Sequence, residues 1–268
     1  MMIQTICVDE GCTLAYTDYG DKKGYPVLVH HGLVGSIIQP DMEERLRGKG
    51  VRIISIARPG YGESSVCEMK SYADWAAMMM PLVAALGLSK FDVLGMSAGT
   101  PYCYALGALM PDKVQRIFIY SGLPAMRETD VINTYPNLQN VKKEYAFYRQ
   151  SSLEQIAKSL YEMYLAPLPE EVLALDDFRD SMANNCLGMA REAKLQSLDW
   201  GFVLKDVRQP VFMQHSKTDE EAPFAAAMKT AALLPDCALH TLENAPHLSE
   251  ETLTAFFNEM IRRIRQTL

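Results

Sequence analysis

A serine between two glycines is the first feature of this chain whose residue types could do chemistry. Gly95 and Gly99 lie two positions either side of Ser97 in the run Gly95-Met96-Ser97-Ala98-Gly99. The apolar residues before this run favour a buried strand and those after it favour a helix, and glycine lets the two backbones approach closely. The spacing therefore predicts a tight turn that holds a serine hydroxyl at the end of a sheet.

A serine hydroxyl is a weak nucleophile near neutral pH and needs a histidine base, which an acid must orient. We therefore looked for these groups at the ends of other predicted strands. Asp219 follows the predicted strand 211–215, and His247 lies in the loop before the last helix. Ser97, Asp219 and His247 are the predicted catalytic residues. Two neighbours of the acid could point inward in its place: Glu220 and Glu221.

The remaining histidines and glycines favour neither a metal nor a cofactor. His215 and His240 lie in or beside predicted strands, where a structural role is expected, and His31 lies in a turn. The five histidines show no metal-ligand spacing. Gly60-Tyr61-Gly62 lacks the third glycine of a dinucleotide-binding loop. We expect no metal and no cofactor.

Strand-like and helix-like segments alternate through most of the chain, which predicts an α/β fold with a mostly parallel sheet. Between residues 123 and 200 only helical periodicity remains, in segments 141–149, 153–164, 170–185 and 189–198. The alternation then resumes through two strands, 211–215 and 238–242, and a last helix from residue 250. Residues 1–122 and 201–268 are thus predicted to form the core domain, and residues 123–200 an all-helical cap inserted before the last two strands.

The charge and composition exclude some partners and locations. The formal net charge of -7 argues against a nucleic-acid surface, which needs clustered cations. The longest apolar run, residues 76–88, is too short to span a bilayer, and the N-terminus lacks a secretion signal. The six scattered cysteines are interpreted as reduced thiols, with a Cys7–Cys12 disulfide the less favoured reading. We expect a cytoplasmic protein without stable membrane association, and its oligomeric state stays open.

The motifs together resemble the α/β-hydrolase superfamily, in its serine-nucleophile branch with a helical cap (carboxylesterase-like). The matching pieces occur in that family's order and cover nearly all of the chain outside the cap: His31-Gly32-Leu33, 58–64, 95–99, 219–223 and 246–251. The family's usual triad order, serine, acid, histidine, is also present. Met96 and Ala57 replace a histidine and an aspartate that are frequent in the family, which blurs the subfamily.

The resemblance implies a serine hydrolase that cleaves a small or medium carboxylic ester through an acyl-enzyme. It implies an oxyanion hole made by the backbone N–H groups of Leu33 and Ala98. Some members carry the acid after the preceding strand, which here nominates Glu128 or Asp130. The cap's apolar and phenolic side chains predict a largely uncharged acyl substrate: Tyr135, Tyr145, Tyr148, Met163 and Tyr164.

Other activities share this triad. The alternatives are a lactonase, a thioesterase, a C–C bond hydrolase, an aminopeptidase or an acyltransferase. A non-catalytic ligand-binding or signalling module with the same fold is the minority alternative. Ser97 speaks against epoxide hydrolases and haloalkane dehalogenases, whose nucleophile is an aspartate.

Overall fold

A single twisted sheet runs through the protein, whose computed structural model describes residues 2–266. Its eight strands lie in the order β1-β2-β4-β3-β5-β6-β7-β8. Strand β2 pairs antiparallel with β1 and β4, and the other neighbours pair in parallel. The strands are β1 Ile3–Asp9, β2 Cys12–Gly20, β3 Tyr25–His30, β4 Val51–Ile56, β5 Phe91–Met96, β6 Val114–Tyr120, β7 Val211–Ser216 and β8 Cys237–Leu242. The predicted mostly parallel α/β fold is confirmed.

Helices lie in every connection from β3 onward, and a last helix follows β8. In the described residues they are α1 Pro40–Leu46, α2 Asp74–Ala85, α3 Thr100–Leu109, α4 Thr129–Ile132, α5 Leu138–Gln150, α6 Leu153–Leu160, α7 Glu170–Leu173, α8 Asp176–Met182, α9 Leu187–Gln196, α10 Phe224–Ala231 and α11 Glu250–Arg265. Helices α4 to α9 all lie between β6 and β7 in the sequence, where only helical periodicity was predicted. We call residues 123–200 the helical insertion.

One predicted helix of the insertion is broken. The periodicity over 170–185 predicts one continuous helix, but α7 and α8 are separate and end in a short 3-10 turn, Ala183–Cys186. Asn184, Asn185 and Cys186 have φ angles of 51°, 56° and 61°, in the left-handed region that a right-handed helix cannot contain. Asn184 is held there because its side-chain amide donates to the carbonyl of Gly60, 3.2 Å away.

Apolar side chains bury both faces of the sheet. The apolar stripe of α11 packs against one face through Phe256, Phe257 and Met260, which contact Leu94 and Phe118 of the central strands. The helix pair α2 and α3 covers the other face. This packing fixes the carboxyl ends of the parallel strands, where the predicted catalytic residues lie.

The structure corrects the cysteine prediction. Cys12, at the start of β2, forms a disulfide with Cys67 in the loop after β4, so these two are not reduced thiols. Cys7 is free, and so the Cys7–Cys12 pairing is also wrong. The pairing arises because the loop lies along β2, where the Ser65 N–H donates to the carbonyl of Thr13 at 2.9 Å. Separately, none of the helices within residues 2–266 is long and apolar enough to cross a membrane.

Candidate active site

Ser97 lies at the sharp turn between β5 and α3, as the glycine spacing predicts. Its φ of 48° is a left-handed conformation that serine rarely adopts. A Cβ on Gly95 would lie 2.9 Å from the sulfur of Cys103, and one on Gly99 would lie 2.3 Å from the carbonyl oxygen of His30. Both glycines are therefore needed because α3 packs too closely on the sheet to admit a side chain.

Three side chains from separate loops form one hydrogen-bonded chain beside this turn. Ser97 Oγ lies 2.9 Å from Nε2 of His247, and Nδ1 of His247 lies 2.8 Å from Oδ2 of Asp219. Asp219 follows β7 and His247 follows β8, so parallel neighbouring strands deliver them to the same edge of the sheet. Asp219 and His247 are 5% and 7% exposed, which limits competing bonds from water. The arrangement lets the serine pass its proton to the imidazole while the carboxylate fixes the ring's tautomer.

The Asp219 carboxylate is held by its own loop as well as by His247. Its Oδ1 accepts hydrogen bonds from the N–H groups of Ala222 and Glu221, at 2.8 and 3.0 Å. Burial raises the pKa of Asp219, but the bonds from His247 and Ala222 outweigh it, so the pKa lies below its usual value. The acid therefore stays ionised, as an orienting group must.

His215 also contacts the Asp219 carboxylate and its loop. Its Nε2 donates to the carbonyl of Ala222 at 2.7 Å and lies 3.3 Å from Oδ2 of Asp219. Burial lowers the pKa of His215, so the ring is neutral near pH 7. The sequence predicts only a structural role for this residue, and its contacts with the acid loop agree with that.

Asp219, and none of the four alternative acids, is the hydrogen-bond partner of His247 Nδ1. The side chain of Glu221 is 74% exposed, and its Oε2 is 3.9 Å from Nε2 of His247 rather than near Nδ1. Glu220 is exposed. Glu128 pairs with Arg127 at 3.0 Å. Asp130 is exposed in the first turn of α4.

The two predicted oxyanion donors belong to the turn that carries Ser97 and to the loop after β3. Ala98 lies in the 3-10 turn Ser97–Gly99 that leads into α3, so its N–H belongs to the start of a helical segment. Leu33 lies in the loop after β3. That loop is close to the nucleophile, since a Cβ built on Gly32 would be 3.7 Å from Cβ of Ser97.

The family model for the alpha/beta hydrolase fold matches residues 25–249 of this chain. The chain belongs to the α/β-hydrolase family. This hydrolase is 22% identical over 265 residues to a 2-hydroxy-6-oxononadienedioate/2-hydroxy-6-oxononatrienedioate hydrolase of Pseudomonas putida, covering 92% of the chain and 90% of that protein. It is 24% identical over 260 residues to a non-heme chloroperoxidase of Streptomyces lividans, covering 91% and 92%. Among solved structures, an esterase from Exiguobacterium antarcticum has a TM-score of 0.73 at 20% identity, covering 97% of this chain and all (100%) of that one.

A buried arginine next to the candidate site of this α/β-hydrolase was given no role by sequence reasoning. Arg58, just after β4, donates from Nη1 to the carbonyl of His31 at 2.6 Å and from Nη2 to that of Gly32 at 2.8 Å. Its Nε donates to Oε1 of Glu192 in α9 at 2.7 Å. The run Arg58-Pro59-Gly60 directly after a buried strand was the available signal, because an arginine there must find buried acceptors.

The side chains predicted to line the hydrolase's pocket differ in how far they are exposed. Tyr145 and Tyr148 are buried, and their hydroxyls donate to Gln196 at 3.3 Å and to Glu144. Tyr164 and Met163 are 43% and 53% exposed, in and around a π-helical turn, Tyr161–Leu165. Burial, together with the nearby Asp219 and Glu144, raises the pKa of Tyr135.

Proposed function

We propose that this α/β-hydrolase is a serine hydrolase that cleaves small or medium carboxylic esters through an acyl-enzyme. One observation carries the proposal: the continuous hydrogen-bonded chain from Ser97 through His247 to a buried, ionised Asp219. Each contact falls within the range that proton transfer requires.

In the first step Ser97 Oγ attacks the ester carbonyl carbon while Nε2 of His247 takes the hydroxyl proton. The tetrahedral intermediate collapses with loss of the alcohol, which receives that proton from His247. Water then attacks the acyl-enzyme and gives a proton to His247, which returns it to Ser97 Oγ as the carboxylic acid leaves. Asp219 keeps its charge throughout and stabilises the imidazolium.

The backbone N–H groups of Leu33 and Ala98 form the oxyanion hole in this proposal. Such donors are aimed before reaction at charge that appears only in the transition state. Removing one typically costs about a hundredfold to a thousandfold in kcat, so their positioning matters as much as the triad.

The helical insertion is proposed to be the cap that shapes the acyl pocket. Its phenolic side chains include the half-buried Tyr135 and the exposed Tyr164, which would give that pocket an apolar and phenolic lining. The Glu221 carboxylate beside His247 disfavours anionic acyl groups. Together these residues support an uncharged ester of modest size.

A C–C bond hydrolase is the main competitor, because the Pseudomonas putida relative is named for such a reaction on dioate substrates. An acid beside the triad is a poor match for a dianion. Ester cleavage is therefore the proposal we favour.

Labelling and turnover test the proposal together. A fluorophosphonate probe should label the wild type and not Ser97→Ala. The matched control is Ser121→Ala, since Ser121 is also buried with a positive φ of 46° at the end of a strand. The wild type and the control should hydrolyse p-nitrophenyl esters of short to medium chain. Equal labelling of Ser97→Ala would refute the assignment, and a wild type that is neither labelled nor active would favour a non-catalytic module.

A further inference from the structure

We infer that Arg58 is a positioning residue for the oxyanion hole and that Glu192 couples it to the helical insertion. The inference rests on the proposed function, because it concerns the loop that would supply the Leu33 N–H. It assigns a role to a buried ion pair that the triad does not use.

The link from Arg58 to the oxyanion donor is a single peptide unit. The carbonyl of Gly32 and the N–H of Leu33 belong to the same planar trans peptide, so they point in opposite directions. Nη2 of Arg58 donates to that carbonyl at 2.8 Å, and Nδ1 of His31 lies 2.9 Å from the same oxygen. Fixing the carbonyl on one side fixes the direction of the Leu33 N–H on the other.

Neighbouring carbonyls of the loop are held in the same way. Arg58 Nη1 donates to the carbonyl of His31 at 2.6 Å, and the Tyr61 hydroxyl donates to that of Leu33 at 2.8 Å. Three consecutive carbonyls, from His31 to Leu33, are thus bound by side chains of the loop after β4. The backbone has little freedom to rotate its N–H groups away from Ser97.

The charge on Arg58 also strengthens the donor. A hydrogen bond from a cation polarises the peptide that accepts it, and successive hydrogen bonds reinforce one another. The effect is large here because the Arg58 side chain is 0% exposed, so water does not screen it. The Leu33 N–H therefore binds a developing oxyanion better than an unassisted amide would.

Glu192 holds the guanidinium in this position. Its Oε1 accepts from Nε of Arg58 at 2.7 Å and from the Tyr102 hydroxyl at 2.7 Å, and the glutamate side chain is 2% exposed. The rings of Tyr61 and Tyr102 lie 5.3 and 5.0 Å from the guanidinium carbon, within cation–π range. Since Glu192 belongs to α9, a shift of the insertion reaches the oxyanion hole through one ion pair.

The test removes both charges at once, so that neither is left buried and unpaired. The double variant Arg58→Met/Glu192→Gln should show kcat for a p-nitrophenyl ester reduced about tenfold to a hundredfold, with KM changed less than threefold. A purely structural role would not divide kcat from KM in this way. Arg58→Lys should recover part of the loss, because lysine keeps the charge but lacks the rigid planar fork that holds two carbonyls and a carboxylate in fixed directions.

The matched control is Arg52→Met/Asp18→Asn, which removes a partly buried pair away from the site. It should keep kcat within twofold of the wild type. If the Arg58 double variant does not fold, Tyr61→Phe tests the same loop by removing one bond, and should lower kcat about threefold to tenfold.

Crystal structures supply a readout that does not depend on turnover. In the Arg58 variants the Gly32–Leu33 peptide should be rotated or present in two orientations. An unchanged peptide, or a folded double variant with kcat within twofold of the wild type, would overturn the inference. A wild type that hydrolyses no ester would instead refute the proposed function. The orientation of the Gly32–Leu33 peptide in the variants would still test whether Arg58 positions it.

Discussion

Oδ2 of Asp219 lies 2.8 Å from Nδ1 of His247. The contact joins two loops that are 28 residues apart and follow neighbouring parallel strands. In the proposed mechanism this contact sets which imidazole nitrogen carries the proton, and so leaves Nε2 free to accept the proton of Ser97. The function of the site therefore depends on the charge of one buried carboxylate.

Replacing Asp219 by Asn should keep the fold and remove most of the activity. An amide can donate to Nδ1 and so favours the wrong tautomer, and we expect kcat to fall about a thousandfold or more. Steady-state kinetics on a p-nitrophenyl ester measure the loss. Glu220→Gln in the adjacent position is the control and should retain wild-type kcat. A modest effect at Asp219 with a large one at Glu220 would mean that the acid has been misassigned.

The charge of Glu221 should set a preference between neutral and anionic esters. Its carboxylate lies 3.9 Å from Nε2 of His247 and is mostly exposed. It should repel an anionic acyl group, and solvent and salt screen part of that repulsion. Glu221→Gln should raise kcat/KM for p-nitrophenyl hemisuccinate relative to p-nitrophenyl acetate by about threefold to fivefold at low salt. This increase in relative kcat/KM should be smaller in about 0.5 M salt, because salt screens the repulsion between the carboxylate and the substrate. An equal change for both esters would show that Glu221 does not discriminate by charge.

The Cys12–Cys67 disulfide should stabilise the protein measurably. It closes a loop with a sequence separation of 55 residues, for which chain-entropy arguments give about 4 kcal/mol. The variant Cys12→Ser/Cys67→Ser should lose a comparable part of its free energy of unfolding. Thiol titration of the unfolded, unreduced wild type should detect the four free cysteines Cys7, Cys103, Cys186 and Cys237. Six reactive thiols in that titration would contradict the disulfide.

The buried Asp92 should make stability depend on pH. Burial raises its pKa to about 6, although Arg116, whose Nε lies 2.8 Å from Oδ2 of Asp92, acts to lower it. As the pH rises from about 4 to about 6, the unfolded carboxyl releases its proton before the folded one does. The free energy of unfolding should therefore fall across this window by about 3 kcal/mol relative to Asp92→Asn.

Asp18 is a control of opposite sign for that measurement. Burial raises the pKa of Asp18, but hydrogen bonds from Arg52 and Lys22 outweigh it and keep the pKa below the usual value. Ionised Asp18 therefore stabilises the folded state. This contribution to the free energy of unfolding is complete above the pKa of the unfolded carboxyl and is lost as the pH falls through the folded pKa. Denaturation curves of Asp18→Asn and Asp92→Asn between about pH 3 and pH 7 should thus differ from the wild type with opposite slopes. Parallel slopes would refute the assignment for Asp92.

The fold was predictable because its signals are local. Periodicity predicts strands at 211–215 and 238–242, which the structure has at Val211–Ser216 and Cys237–Leu242, and the alternation of elements implies parallel pairing. Ser97, Asp219 and His247 were also accessible, since each follows a strand whose end is fixed by topology. A residue's place in the order of strands is therefore enough to bring distant side chains together.

The remaining features depend on contacts that no local pattern encodes. Arg58 and Glu192 are 134 residues apart, and Glu192 lies in a helix without a recognisable motif. Cys67 pairs with Cys12 only because its loop runs back along β2. The break at Asn184 follows from a hydrogen bond to the distant carbonyl of Gly60, which overrides the helical periodicity of its own segment.

The Arg58–Glu192 ion pair limits how this scaffold can be re-engineered. Exchanging the helical insertion with that of another α/β-hydrolase looks simple, since it connects two adjacent strands, β6 and β7. If the donor segment has no carboxylate in place of Glu192, the Arg58 guanidinium is left buried without its ion-pair partner, next to the loop that contains Leu33. Chimeras should therefore keep a carboxylate at the position of Glu192 or replace Arg58 in the host. Exchanging the insertion would then change substrate specificity and kcat together.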